Sequence, residues 1–164
     1  MKKLYIVRHA KSSWDNVDLR DLDRPLNDRG LKDAPRMGKR LKVRGVHPDL
    51  MISSPAVRAL STCRAFANEL GYPEDKIKVD KRLYNAAEDQ LLTVIKECKK
   101  FQDPGVLLIV GHNPGLTEFA NRLLDDTIDN INTCGVVAGE LNIESWDELS
   151  WGCGEREFFE TPKK

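Results

Sequence analysis

Three short apolar runs, far apart in the chain, constrain the fold more than any other feature of the sequence. They span residues 4–7, 50–52 and 106–110. The first ends abruptly at Arg8-His9, and the other two are each followed by polar residues and then by a helical pattern. The runs are continuously apolar rather than alternating, which is typical of strands covered on both faces inside a parallel sheet. This alternation of strand and helix predicts an α/β fold, a three-layer α/β/α sandwich with a mostly parallel sheet.

Helix signals lie between and after these runs. Asn27 can cap a helix from Asp28 to Val43, and prolines at Ser54-Pro55 and Asn113-Pro114 are typical of two further helix starts. The remaining predicted elements are a helix over about 88–101 and two late strands over about 135–143 and 155–160. The direction of the late strands is left open. Residues 10–25 are rich in charge and lack periodicity, which is typical of a surface flap over a site.

Length and charge exclude several classes of protein. The 164 residues are enough for one well-filled domain, and we expect a single domain over residues 1–164. The 26 basic and 26 acidic side chains cancel, so no overall field attracts the chain to nucleic acid or to an anionic membrane. Any anion-binding site must therefore be local.

The four cysteines and the first apolar run bear on the cellular compartment that we expect for the protein. The cysteines form no CxxC pair and have no histidines at zinc-ligand spacing, so we expect reduced thiols in a cytoplasmic protein. The run over 4–7 stops at Arg8 and is too short for a signal-peptide core or a membrane span. Since no long apolar stripe is left over for a partner, we expect a monomer.

Polar residues follow each apolar run, at the sheet edge where open α/β folds bind their ligands. The cationic side chains close to these strand ends are Arg8, His9, Arg58 and His112. Two guanidiniums and two imidazoles at one edge concentrate like charge, which destabilises the fold unless an anion with several oxygens binds among them. We therefore expect these residues to form a phosphate site.

Four ordered motifs carry a family resemblance. They are Val7-Arg8-His9-Ala10-Lys11-Ser12, Pro25-Leu26-Asn27-Asp28-Arg29-Gly30, Ser53-Ser54-Pro55-Ala56-Val57-Arg58 and Gly111-His112-Asn113-Pro114-Gly115. Together they resemble the histidine phosphatase superfamily, the phosphoglycerate-mutase-like proteins, over nearly the whole chain. Within that superfamily, the short length of the chain and three further segments most resemble those of the SixA-type phosphohistidine phosphatases. These segments are Leu83-Tyr84, Thr133-Cys134-Gly135 and Phe159 to Pro162.

The resemblance implies a role for each residue of the expected phosphate site. His9 would be the nucleophile that becomes phosphorylated. The transferring phosphoryl group would be held by Arg8, Arg58 and His112. Ser12 is a further candidate contact to phosphate, with a role in a turn as its alternative. The chemistry agrees, because a neutral imidazole is a competent nucleophile and two guanidiniums with a protonated His112 could balance the phosphoryl charge. We expect no metal ion and no cofactor.

A general acid is missing at the position where many members of this family carry one. Asn85-Ala86-Ala87 stands there, and the nearest candidate is Glu88, which could equally be a residue of the helix start. An alkoxide leaving group needs a proton, whereas phosphohistidine can leave as neutral imidazole. The missing acid therefore favours a P–N substrate. Whether Asp15 or Asn16, in the flap, adds a phosphate contact is left open.

These observations predict a metal-independent phosphatase that works in two steps through a phosphohistidine intermediate at His9. The expected substrate is phosphohistidine on a protein. Two alternatives stay open. One is a small-molecule phosphomonoesterase or mutase, and the other is a phospho-ligand binding module that has lost turnover.

Overall fold

Six strands form one sheet in the computed structural model, which describes residues 1–163. The strands are β1 (Lys2–Arg8), β2 (Leu50–Ser53), β3 (Lys78–Val79), β4 (Val106–Gly111), β5 (Val136–Leu141) and β6 (Gly154–Glu160). The helices are α1 (Asp28–Val43), α2 (Val57–Leu70), α3 (Glu88–Lys96) and α4 (Gly115–Leu124). Across the sheet the strand order is β3-β2-β4-β1-β5-β6.

The sheet is mixed but mostly parallel, as predicted. β1 and β2 each pair in parallel with β4, and β2 pairs in parallel with β3. β5 runs antiparallel to both of its neighbours, β1 and β6, which settles the direction that the sequence left open. β3 was not predicted, because its two residues are exposed and carry no apolar run.

Successive residues of β1 face opposite sides of the sheet and join separate cores. Leu4 and Ile6 pack in the cluster that contains the apolar residues of α3 and α4. Tyr5 and Val7 pack in the cluster of α1 and α2. Helices therefore cover both faces, which explains why the strand is continuously apolar and confirms the three-layer sandwich.

The helix boundaries follow local chemistry, with two corrections. α1 spans the predicted residues, and the Asn27 side chain accepts a hydrogen bond from the Gly30 amide at 2.8 Å. α2 begins at Val57, later than predicted, with Ala56 at the cap position. α3 ends at Lys96 rather than Phe101, because the chain tightens there into a 3₁₀ turn over Glu97–Lys100.

The cysteines are free thiols, three of them buried and Cys153 half-buried. None of the helices within residues 1–163 combines the length and the apolar character needed to cross a membrane. The cytoplasmic location and the monomeric state stay predictions.

Candidate active site

A cavity of about 820 Å³ opens at the carboxyl edge of the parallel strands. β1 ends at Arg8 and β4 ends at Gly111, its register partner, so His9 and His112 both follow directly on neighbouring strand ends. Arg58 reaches the same cavity from the first turn of α2, which follows β2. The structure thus brings Arg8, His9, Arg58 and His112 to one cavity.

His9 is held with one ring nitrogen against a backbone carbonyl. Its Nδ1 lies 2.7 Å from the Ala10 carbonyl oxygen, which can only accept a hydrogen bond. Nδ1 therefore carries the proton, and Nε2 carries the lone pair. Burial, helped by the positive charges of Arg58, Arg8 and Arg24, lowers the pKa of His9 to about 4. The ring is neutral at physiological pH, as a nucleophile must be.

His112 lies beside His9, with 5.1 Å between the ring centroids. Its Nε2 is 2.8 Å from the Ser54 hydroxyl oxygen, and its Nδ1 is buried without a partner in the described part of the chain. Burial lowers the pKa of His112 to about 3, and the charge interaction with His9 and Arg58 acts in the same direction. In the free protein His112 is therefore neutral, which differs from the protonated ring expected from the sequence.

The two arginines are each anchored at one end of the guanidinium. Nη1 of Arg8 donates to the Ile131 carbonyl at 3.0 Å. Nη1 of Arg58 donates to the Asp21 carbonyl at 2.6 Å, and its Nη2 donates to the Asp21 carboxylate at 2.9 Å. The Nε atoms of both arginines are buried and have no hydrogen-bond partner within residues 1–163. Such donors are costly to leave unsatisfied, and an oxyanion is a ligand that both of them can share.

The flap forms the outer wall of the cavity through Arg24 and Ser12. Arg24 is buried, and its Nη1 donates to the Ser12 hydroxyl at 2.8 Å. Its guanidinium also stacks on the Trp14 ring, 3.4 Å from the ring centroid. Ser12 lines the cavity while it accepts this bond, so its proposed contact to phosphate stays a prediction. Asp15 also lines the cavity, whereas Asn16 does not belong to its wall.

Residues 4–87, about half of the chain, match the model of the histidine phosphatase superfamily (branch 1). The chain belongs to this superfamily. An uncharacterized chloroplastic protein of Arabidopsis thaliana is 31% identical over 156 residues, which is 90% of this chain and 70% of that protein.

Two solved structures share the fold of this chain. One is a candidate phosphohistidine phosphatase SixA from Agrobacterium tumefaciens, with a TM-score of 0.83 and 23% identity over 98% of both chains. The other is the protein histidine phosphatase SixA complexed with tungstate, with a TM-score of 0.83 and 20% identity. That match covers 98% of this chain and 97% of the other. The phosphoglycerate-mutase-like fold is thereby confirmed.

Glu88 stands apart from the other predicted site residues. It begins α3, lies outside the cavity wall, and pairs with Arg122 of α4 at 3.3 Å. The structure therefore does not bring it to His9. Asn85 reaches the cavity instead, from a backbone position with a φ of 56°.

Sequence reasoning missed Asp21, which links three groups of the site. Its carboxylate accepts hydrogen bonds from Arg58, from Nε of Arg24 at 3.0 Å and from the Tyr84 hydroxyl at 2.5 Å. The Tyr84 hydroxyl and both arginines hold the pKa of this carboxyl well below its usual range. Asp21 is one of several acids in a charged flap, and no local spacing distinguishes it from the others.

Proposed function

We propose that this protein is a phosphatase that transfers a phosphoryl group from its substrate to Nε2 of His9 and then to water. One observation carries the proposal. Arg8, Arg58 and His112 line the cavity beside a neutral His9, and each has a buried nitrogen without a partner in residues 1–163: Nε in the two arginines and Nδ1 in His112.

The proposed reaction has two displacements at phosphorus. In the first, the Nε2 lone pair of His9 forms the N–P bond as the bond from phosphorus to the leaving group breaks. In the second, water attacks the same phosphorus, its proton leaves with the products, and Nε2 recovers its lone pair. The two guanidiniums supply positive charge and His112 supplies a neutral donor, so these side chains stabilise the equatorial oxygens in both steps.

The favoured substrate is phosphohistidine on a protein. Asp21 is held ionised by its partners, so it accepts hydrogen bonds and is a poor proton donor to a leaving alkoxide. Glu88 lies outside the cavity wall. A phosphohistidine protonated on its remote nitrogen leaves as neutral imidazole without help from an acid. The shared fold with the SixA structures supports the same class of substrate.

The experiment compares three substrates and traps the intermediate. Purified protein would be assayed with a phosphohistidine peptide, p-nitrophenyl phosphate and an unactivated sugar phosphate. Labelled phosphate should appear on His9 after rapid quenching in alkali, and His9→Ala should abolish both label and turnover. His47→Ala is the matched control, because His47 is exposed before β2.

The outcomes separate the proposal from its alternatives. Fast turnover of the peptide with slow turnover of the sugar phosphate supports a P–N phosphatase. Comparable turnover of both would point to a phosphomonoesterase. Binding of phosphate with no turnover of any substrate would point to a binding module.

A further inference from the structure

Ser54 is a fully buried residue that directly follows β2 and contacts the active-site imidazole of His112. It has no exposed surface. Within residues 1–163 its hydroxyl oxygen has two partners, the backbone amide of Ala56 at 3.2 Å and Nε2 of His112 at 2.8 Å. The Ala56 amide can only donate, so it cannot receive the hydroxyl proton.

The hydroxyl proton therefore has one acceptor within reach, Nε2 of His112. If Nε2 carried a proton, Ser54 would face two donors, and its own proton would be buried without an acceptor. This arrangement disfavours both the Nε2–H tautomer and the imidazolium. It leaves the neutral ring with its proton on Nδ1, the nitrogen that is buried without a partner in the described residues.

We propose that Ser54 is a positioning residue that holds His112 in the Nδ1–H tautomer, so that a neutral imidazole donates a hydrogen bond to the transferring phosphoryl group. Only the hydrogen bond to the phosphoryl group rests on the proposed phosphatase function. The tautomer is a property of the protein without substrate. The opposite tautomer would present a lone pair, which repels phosphoryl oxygens instead of binding them.

The first test reads the tautomer directly. Two-bond ¹H–¹⁵N correlation spectra distinguish protonated from unprotonated ring nitrogens, and with three histidines in the chain each can be assigned by single substitution. At about pH 7, where unperturbed histidine is mostly neutral, wild-type His112 should show a protonated Nδ1. A protonated Nε2 in the wild type would overturn the proposal.

The second test removes the hydroxyl. In Ser54→Ala, both tautomers of His112 should be populated. Its kcat should be at least about fivefold below that of the control, because loss of a single oxyanion donor costs about a hundredfold to a thousandfold. Ser53→Ala is the matched control, since Ser53 is equally buried and donates to the Ser54 carbonyl at 2.8 Å.

The two kinds of failure are distinguishable. A Ser54→Ala protein that keeps only the Nδ1–H signal, or whose kcat stays within about fivefold of the Ser53→Ala value, overturns the positioning role. If the wild type turns over no phosphorylated substrate, the proposed function fails, and the spectra alone decide whether Ser54 sets the tautomer.

Discussion

The buried His9 makes the stability of the fold sensitive to mild acid. Its pKa of about 4 in the folded protein lies below the ordinary value of 6.5, which applies to the unfolded chain. Below about pH 6.5 His9 therefore becomes protonated in the unfolded chain, whereas in the folded chain it stays neutral down to about pH 4. Stability is present above this window and is lost as the pH falls through it.

The size of the loss follows from the two pKa values. Between about pH 7 and about pH 5, linkage gives a decrease of about 2 kcal/mol in the free energy of unfolding from His9 alone. Replacing the ring by an uncharged side chain removes this contribution. His9→Gln should therefore lose about 2 kcal/mol less than the wild type over the same pH interval.

Urea unfolding at the two pH values measures this difference. Each protein serves as its own reference at about pH 7, so any pH-independent effect of the substitution cancels. His47→Gln is the control, because His47 is exposed, and it should lose as much stability as the wild type. An equal loss in His9→Gln and in the wild type would refute the argument that burial keeps His9 neutral.

Two further predictions concern Arg58 and its flap partner. Arg58→Lys keeps the positive charge but lacks the planar guanidinium fork, so we expect kcat for p-nitrophenyl phosphate to fall about a hundredfold or more. Steady-state kinetics measures this change, and retention of full kcat would exclude a phosphoryl contact from Arg58. Asp21→Asn weakens the charged bonds to Arg58 and Arg24 and should lower the free energy of unfolding by about 1–2 kcal/mol in urea titrations, since solvent screens the half-exposed carboxylate. Asp23→Asn, whose partner Arg20 is exposed whereas the partners of Asp21 are buried, should change it by less than about 1 kcal/mol. Equal losses in the two variants would contradict the linking role of Asp21.

Most of the fold could be predicted because its signals are local. The runs in β1 and β4 are continuously apolar since helices cover both faces of the sheet, and Asn27 caps α1 through an amide three residues away. The direction of β5 and the existence of β3 could not be predicted. β3 exists because two exposed residues pair with β2, and nothing in their own sequence reports that pairing.

Some residues of the candidate site could be predicted from the sequence, and others could not. Arg8, His9 and His112 could be placed together because they lie at or directly after the ends of buried strands, and parallel strands end at one edge of a sheet. Glu88 was a candidate through its position in the sequence, but the packing of α3 on α4 pairs it with Arg122 instead.

The sequence by itself determined the layered α/β fold and the meeting of Arg8, His9, Arg58 and His112 at one cavity, because burial pattern and strand ends are properties of neighbouring residues. Only the tertiary structure decided how those side chains are charged and oriented. Asp21 reaches Arg58 across 37 positions, and Ser54 meets His112 across 58. Such contacts depend on the path of the whole chain, and they set which nitrogen holds a proton and which carboxylate stays ionised.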